Sequence, residues 1–260
     1  MNAVKSPRYP ITIDQETVQI GTAAELAVAL DVLQGQYDRT VLTQLKPHLA
    51  EIIPQAKDFL AVMKSLAVND QLYLIEALGP HLAGILQEAR HLRDLLATIA
   101  DTDVETALLS TLGTAGLRSL ILTAAELAEV LEWVYGQCDA LALDLIGLDY
   151  VRDLCRNAGD LSAILHSLDS DLQEKLLEQL GWEFATRLAC DGRDLASLLR
   201  ALPAASSERL LQHFTSAQLR KLIGNAHDWA YLYQRLDPAE AEFITQQIGL
   251  HQPGRKSHAK

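Results

Sequence analysis

A four-residue phrase returns seven times along this chain, beginning at Thr22, Gln55, Glu88, Thr123, Asn157, Asp191 and Asn225, at intervals of 33, 33, 35, 34, 34 and 34 residues. It reads Thr22-Ala-Ala-Glu25, Thr123-Ala-Ala-Glu126, Asn157-Ala-Gly-Asp160 and Asn225-Ala-His-Asp228 at its clearest. Self-similarity at this period marks stacked supersecondary elements, each too small to bury its own apolar face. The expected fold is therefore all-α: an α-solenoid of about seven stacked repeats of 33–35 residues, with up to three short helices in each. Residues 1–21 are expected to form an N-terminal cap segment, 22–249 the solenoid and 250–260 a disordered polar tail.

The residues within one repeat say why it should be helical. Asn157 is a good N-cap, and Asp160 sits three residues on, where the reciprocal member of a capping box belongs. Thr22 with Glu25 and Thr123 with Glu126 are the cleanest such pairs. Leu161, Ile164, Leu165 and Leu168 follow at the spacing of a helix buried on one face. Phe59, Val62, Met63 and Leu66 hold the same places earlier, and Leu195, Leu198, Leu199 and Leu202 later. Asp169 then opens a third helix through Leu172, Leu176, Leu177 and Leu180, as Asp237-Pro238 does in the last repeat. That helix closes at Gly79, Gly113, Gly147, Gly181 or Gly249, each expected as a left-handed C′ residue. In some repeats the third helix could instead run through a kink at the glycine into the first helix of the next. Ahead of the array, Ile11, Ile13, Val18 and Ile20 alternate with polar residues, as in a short strand or hairpin covering its exposed end.

Charge and cysteine content narrow the function classes. The net charge of -12 opposes nucleic-acid binding, which needs clustered Lys and Arg. Acid is concentrated between Asp101 and Asp149, where nine carboxylates face the single cation Arg118, so a partner with a basic surface is expected there. No uncharged apolar run reaches the ~18 residues of a membrane span, and the N-terminus lacks a secretory h-region. Three irregularly spaced cysteines fit a reducing compartment. The localisation read from this is cytoplasmic where the protein is made. Nothing in the sequence speaks to oligomeric state.

No residue pattern calls for a metal or a cofactor, and no catalytic residue is assigned. The recurring carboxylates Glu25, Asp58, Glu126, Asp160, Asp194 and Asp228 suit helix N-termini better than a metal. Cys155 takes a place held elsewhere by Leu86 and Ile121, which makes it a core residue; Cys190 lies beside that place and Cys138 at a helix junction. The informative residues are those that break the repeat. Trp133 stands on the second helix of its repeat where others have Ser65, Thr98, Ser167, Ala201 and Arg235, an outward place for a partner-binding anchor. Glu129 and Glu132 on the same helix would steer a basic partner toward it. Tyr231, opposite Ala163 and Ser197 in the register, is a second partner-binding candidate, while Trp229 and Tyr233 are expected in the core of the last repeat. Arg118, Arg152 and Arg220 share one place on the first helix, either gripping an acidic segment or simply solvated.

Residues Asp160 to Gly181 resemble the Asp-Leu-x-x-x-Leu-x-x-Leu, Leu-Leu-x-x-Leu-Gly repeats of effector proteins secreted by intracellular bacterial pathogens, and the likeness spans most of residues 22 to 249. It implies an interaction protein delivered into a host cell by a route without a classical signal peptide. Phe214 to Asn225 resembles the opening of the DNA-reading repeats of transcription-activator-like effectors, but the glycine loops and basic residues of that family are missing. The expected function is a non-enzymatic protein–protein interaction module. The alternatives are a nucleic-acid-binding helical repeat protein and a regulatory or scaffold subunit of a bacterial complex.

Overall fold

The computed structural model describes residues 7–224 and 226–249; Asn225 and the expected tail 250–260 lie outside the described residues. The chain opens with an antiparallel hairpin, β1 (Tyr9–Ile13) and β2 (Glu16–Ile20), in which Tyr9 pairs with Ile20 and Ile13 with Glu16. Asp14 and Gln15 make its turn with positive φ. Ile11 and Ile20 are buried, as the alternation predicts.

Among the described residues every other regular element is helical, and the class is all-α. In chain order the helices are α1 (Ala23–Leu33), α2 (Asp38–Leu45), α3 (Leu49–Ile52), α4 (Ala56–Lys64), α5 (Val68–Leu78), α6 (Leu82–Leu86), α7 (Ala89–Leu96), α8 (Thr102–Leu120), α9 (Ala124–Leu131) and α10 (Cys138–Ile146). Then follow α11 (Leu148–Leu154), α12 (Ala158–His166), α13 (Ser170–Leu180), α14 (Trp182–Leu188), α15 (Gly192–Arg200), α16 (Ala204–Gln212), α17 (Ser216–Leu222), α18 (Ala226–Tyr233) and α19 (Pro238–Ile248). Thr22, Gln55, Glu88, Asn157 and Asp191 are each the N-cap of a helix. Thr123 directly precedes α9, its Oγ1 accepting from the Glu126 N–H at 3.2 Å.

The fourth phrase residue works in two ways. Glu126 accepts from the Thr123 N–H at 3.0 Å, closing the expected box. Glu25, Asp160 and Asp194 instead reach one residue further back, to the N–H groups of Gly21, Arg156 and Cys190. Both arrangements satisfy donors at a helix entrance, and negative charge there also suits the helix dipole. Reciprocal boxes that the sequence reading passed over occur at Thr215 with Gln218 and at Asp237 with Glu240.

The closing glycines all have positive φ, but the expected left-handed C′ geometry holds only at Gly249 (φ 70°, ψ 25°). Gly147 and Gly181 combine positive φ with ψ of 140° and 128°. The reason is the absence of a loop: α11 and α14 start at the very next residue, and extended ψ sends the chain straight into them. At Gly113 (φ 57°, ψ -173°) the two helices run on as the kinked α8, the fused alternative.

Arg118, Arg152 and Arg220 each donate to the end of a helix in the same unit of the register. Arg118 Nε donates to the Ile146 carbonyl at 2.8 Å, Arg152 Nη2 to the Gln179 and Leu180 carbonyls at 3.2 and 3.0 Å, and Arg220 Nε to the Ile248 carbonyl at 3.2 Å. Each cation thus caps the C-terminus of a third helix, where carbonyls lack intrahelical partners. The closing glycine makes room: a Cβ on Gly147 would lie 2.9 Å from Arg118 Nη2. Where Thr186 replaces the arginine, α16 ends without a glycine, and Thr215 caps the next helix instead.

Contacts divide the chain into two compact units. The first comprises the residues up to Leu122 with Glu129–Gly147, and the second Thr123–Ala128 with the residues from Leu148 onward. Within the first, α1 packs on α4 and α4 on α7, while α2, α5, α8 and α10 pack each on the next. Within the second, α12 packs on α15 and α15 on α18, with α16 and α17 both against α19. The predicted stripes form these cores: Leu161, Ile164, Leu165 and Leu168 are buried, as are their equivalents around Phe59 and Leu195. Tyr233 departs from expectation. It is 55% exposed, its ring tilted against Trp229, and Leu232 takes the buried place.

Candidate functional site

The repeat that begins at Thr123 differs from the others between its second and third helices. Three residues join α4 to α5, α12 to α13 and α15 to α16, four join α1 to α2 and α18 to α19, and five join α7 to α8, but six, Glu132 to Gln137, join α9 to α10. Trp133 lies in this connection, just past the end of α9 rather than on the helix as its spacing predicts. As at the ends of α4, α12 and α15, the last carbonyls are taken up in tighter i to i+3 bonds: the Trp133 N–H donates to the Val130 carbonyl at 3.1 Å and the Val134 N–H to the Leu131 carbonyl at 3.3 Å. Gly136, with φ of 62°, completes the turn.

Two large aromatic side chains are exposed on it, Trp133 at 38% and Tyr135 at 56%. Sequence reasoning missed Tyr135, although a signal was present. Its register equivalents Ala67, Asp169, Pro203 and Asp237 are N-cap residues of third helices, and none of them is a large aromatic. The turn is held from outside. Glu105, on α8 and buried, accepts from the Tyr135 N–H at 3.1 Å. Val134 and Cys138 are buried on either side, and the Cys138 thiol lies 3.7 Å from the Thr102 carbonyl and 3.4 Å from Thr106 Oγ1. The turn is held at three points, so its aromatics are presented with little ordering entropy left to lose on binding.

Burial raises the Glu105 carboxyl above the ordinary carboxylate range, against the lowering effect of the Tyr135 N–H. Burial likewise raises the Cys138 thiol and pushes that of Cys155 up to about 12, so both behave as packed hydrophobes rather than nucleophiles. Among the described residues no group of His, Cys, Asp and Glu could hold a metal ion.

The acidic character of residues 101–149 is weaker than its nine carboxylates suggest. Glu105 and Asp139 are buried, Asp101 and Glu126 hold helix entrances, and Asp149 pairs with Arg152. Glu129 is 3.2 Å from Arg93, which also binds Asp94 at 2.7 Å. Glu132, beside Trp133, is exposed. Glu129, Glu132 and Trp133 therefore belong together in the first unit, whereas Tyr231 belongs to the second. There the Tyr231 ring carries Arg235 at 3.6 Å and Arg193 at 5.4 Å from its centroid.

No protein-family model, curated protein or solved structure matches the chain.

Proposed function

We propose that this chain is a non-enzymatic helical-repeat module that binds another protein, and that the turn from Glu132 to Gln137 is its principal contact. The observation that carries the reading is the pairing of exposed Trp133 and Tyr135 on the longest of these connections among the described residues, with a buried carboxylate accepting from its backbone. Trp and Tyr are the residue types that most often dominate binding energy, and they do so best when already ordered. Glu132, and Glu129 through its share of Arg93, favour a partner with a basic surface. The resemblance to bacterial effector repeats makes a host protein the first class of partner to look for.

Nucleic acid fits less well. In the second unit Arg152 and Arg220 cap helices, Arg209 pairs with Glu174 and Glu178, and Arg193 and Arg235 lie over Tyr231. The five further cations between residues 148 and 249, Arg156, Lys175, Arg187, Arg200 and Lys221, stand among fifteen carboxylates, an acidic balance that opposes phosphate. Affinity capture from host-cell lysate with quantitative mass spectrometry tests the proposal. A protein retained by the wild-type chain and lost from Trp133→Ala/Tyr135→Ala supports it. Tight, steeply salt-dependent binding to mixed-sequence DNA, unaffected by that pair of substitutions, would refute it.

A further inference from the structure

The first unit has an apolar groove between its hairpin and α1, of about 550 Å³, lined by Ile11, Ile13, Val18, Ala24, Val28 and Val32. Val28 and Val32 are 63% and 74% exposed and Val18 48%, far more than the aliphatic residues of the stripes. The repeat register explains what such a surface is for. In the second unit, α12 and α15 meet through Ser162, the sixth residue counted from its phrase start, and Ser197, the seventh. Ser162 Oγ donates to the Ser197 carbonyl at 2.9 Å, and the two hydroxyls are 3.0 Å apart. The seventh residue thus faces the preceding phrase helix. Val28 is the seventh residue of the first phrase, and the described chain contains no phrase helix before α1. The hairpin supplies Ile11 and Ile20 to the core but leaves the valine row uncovered.

The charge of the hairpin and α1, the two elements that form the groove, selects the occupant. Residues 7–33 carry four carboxylates, Asp14, Glu16, Glu25 and Asp31, and one cation, Arg8, which is already 2.7 Å from Glu25. Asp31 lies on α1 between Val28 and Val32, and Glu16 begins β2, opposite Ile13. We infer that this groove is a second protein-binding site, which takes an amphipathic helix of a partner, its aliphatic stripe on Val28 and Val32 and its flanking positions lysine or arginine. A helix is the shape that the neighbouring place in the stack accepts, and the carboxylates set the sign of its flanks. The site is independent of the aromatic turn.

The probe is a fluorescein-labelled helical peptide of about 15 residues with leucines at i, i+3, i+4 and i+7 and lysine on the opposite face. Two controls accompany it: the same stripe with glutamate in place of lysine, and the lysine composition in scrambled order. Fluorescence anisotropy should show the lysine peptide binding the wild-type chain. Val28→Gln/Val32→Gln should weaken it at least about tenfold while the thermal melt stays put, since both side chains are exposed. The glutamate and scrambled peptides should bind at least about tenfold more weakly, and Trp133→Ala should leave the lysine peptide unaffected. Equal affinity for Val28→Gln/Val32→Gln, or for the scrambled peptide, would overturn the inference. So would loss of binding in Trp133→Ala, which would place the peptide on the aromatic turn. Wild-type self-association in sedimentation velocity that Val28→Gln/Val32→Gln abolishes would overturn it too, by making a second copy the occupant.

Discussion

Glu105 shows how much one residue's role depends on burial that a sequence does not display. In the chain it is one of nine central carboxylates; in the fold it is a 1% exposed acceptor for the Tyr135 N–H, with Oε1 lacking a protein partner. Its pKa is raised by burial, so the folded state holds the proton more tightly than the unfolded one. Below the ordinary carboxylate range both states are protonated and the residue costs nothing. As pH rises through and beyond that range the ionised form must be carried in the fold, and stability falls. Glu105→Gln, which keeps an acceptor for Tyr135, should therefore melt higher than wild type at neutral pH, the gap closing as pH is lowered to about 4. A gap independent of pH would show that the carboxylate is not strained by its burial. Buried residues that follow the helical stripe were legible by contrast, because their periodicity is local. Glu105 breaks no pattern and could be placed only through a partner 30 residues away.

At the scale of the helix, entrances were readable and exits were not. Every phrase start within the described residues lies at a helix entrance, and Thr22, Thr123, Asn157 and Asp191 cap it with side chains that bond donors two or three residues away, whereas Gln55 and Glu88 make no side-chain cap bond. The exits are closed by Arg118, Arg152 and Arg220, whose carbonyl partners lie 27 or 28 residues further on and leave no local trace. Arg152→Ala removes a charged donor from two carbonyls and should cost about 1–2 kcal/mol in chemical denaturation, with Arg152→Lys recovering part of it. A loss indistinguishable from that of a neutral surface change would return the arginines to solvent. Packing makes a larger demand. Leu165 is fully buried on α12, and Leu165→Ala should cost about 2–5 kcal/mol. A loss below about 0.5 kcal/mol would mean that the stripe has been put on the wrong face. The misplacement of Trp133 on a helix has a similar origin: α9 ends in tighter i to i+3 bonds, and equal spacing from the phrase cannot reveal that.

For the whole molecule, the repeat period led to the all-α class because it is a property of the entire sequence, repeated often enough to outweigh any one ambiguous segment. The binding surfaces proposed here arise where the pattern fails: a six-residue connection in place of three to five, and a phrase helix with none before it among the described residues. Such departures are visible in a sequence once the register is known, as Tyr135 at a capping place was, but their exposure depends on packing across repeats. The central claim is that the turn bearing Trp133 and Tyr135 holds the partner. Isothermal titration calorimetry of the captured partner against wild type and Trp133→Ala/Tyr135→Ala tests it most directly. At least about a tenfold loss of affinity is expected in the double variant, with an unchanged melting temperature. Equal affinity in the two proteins would contradict it.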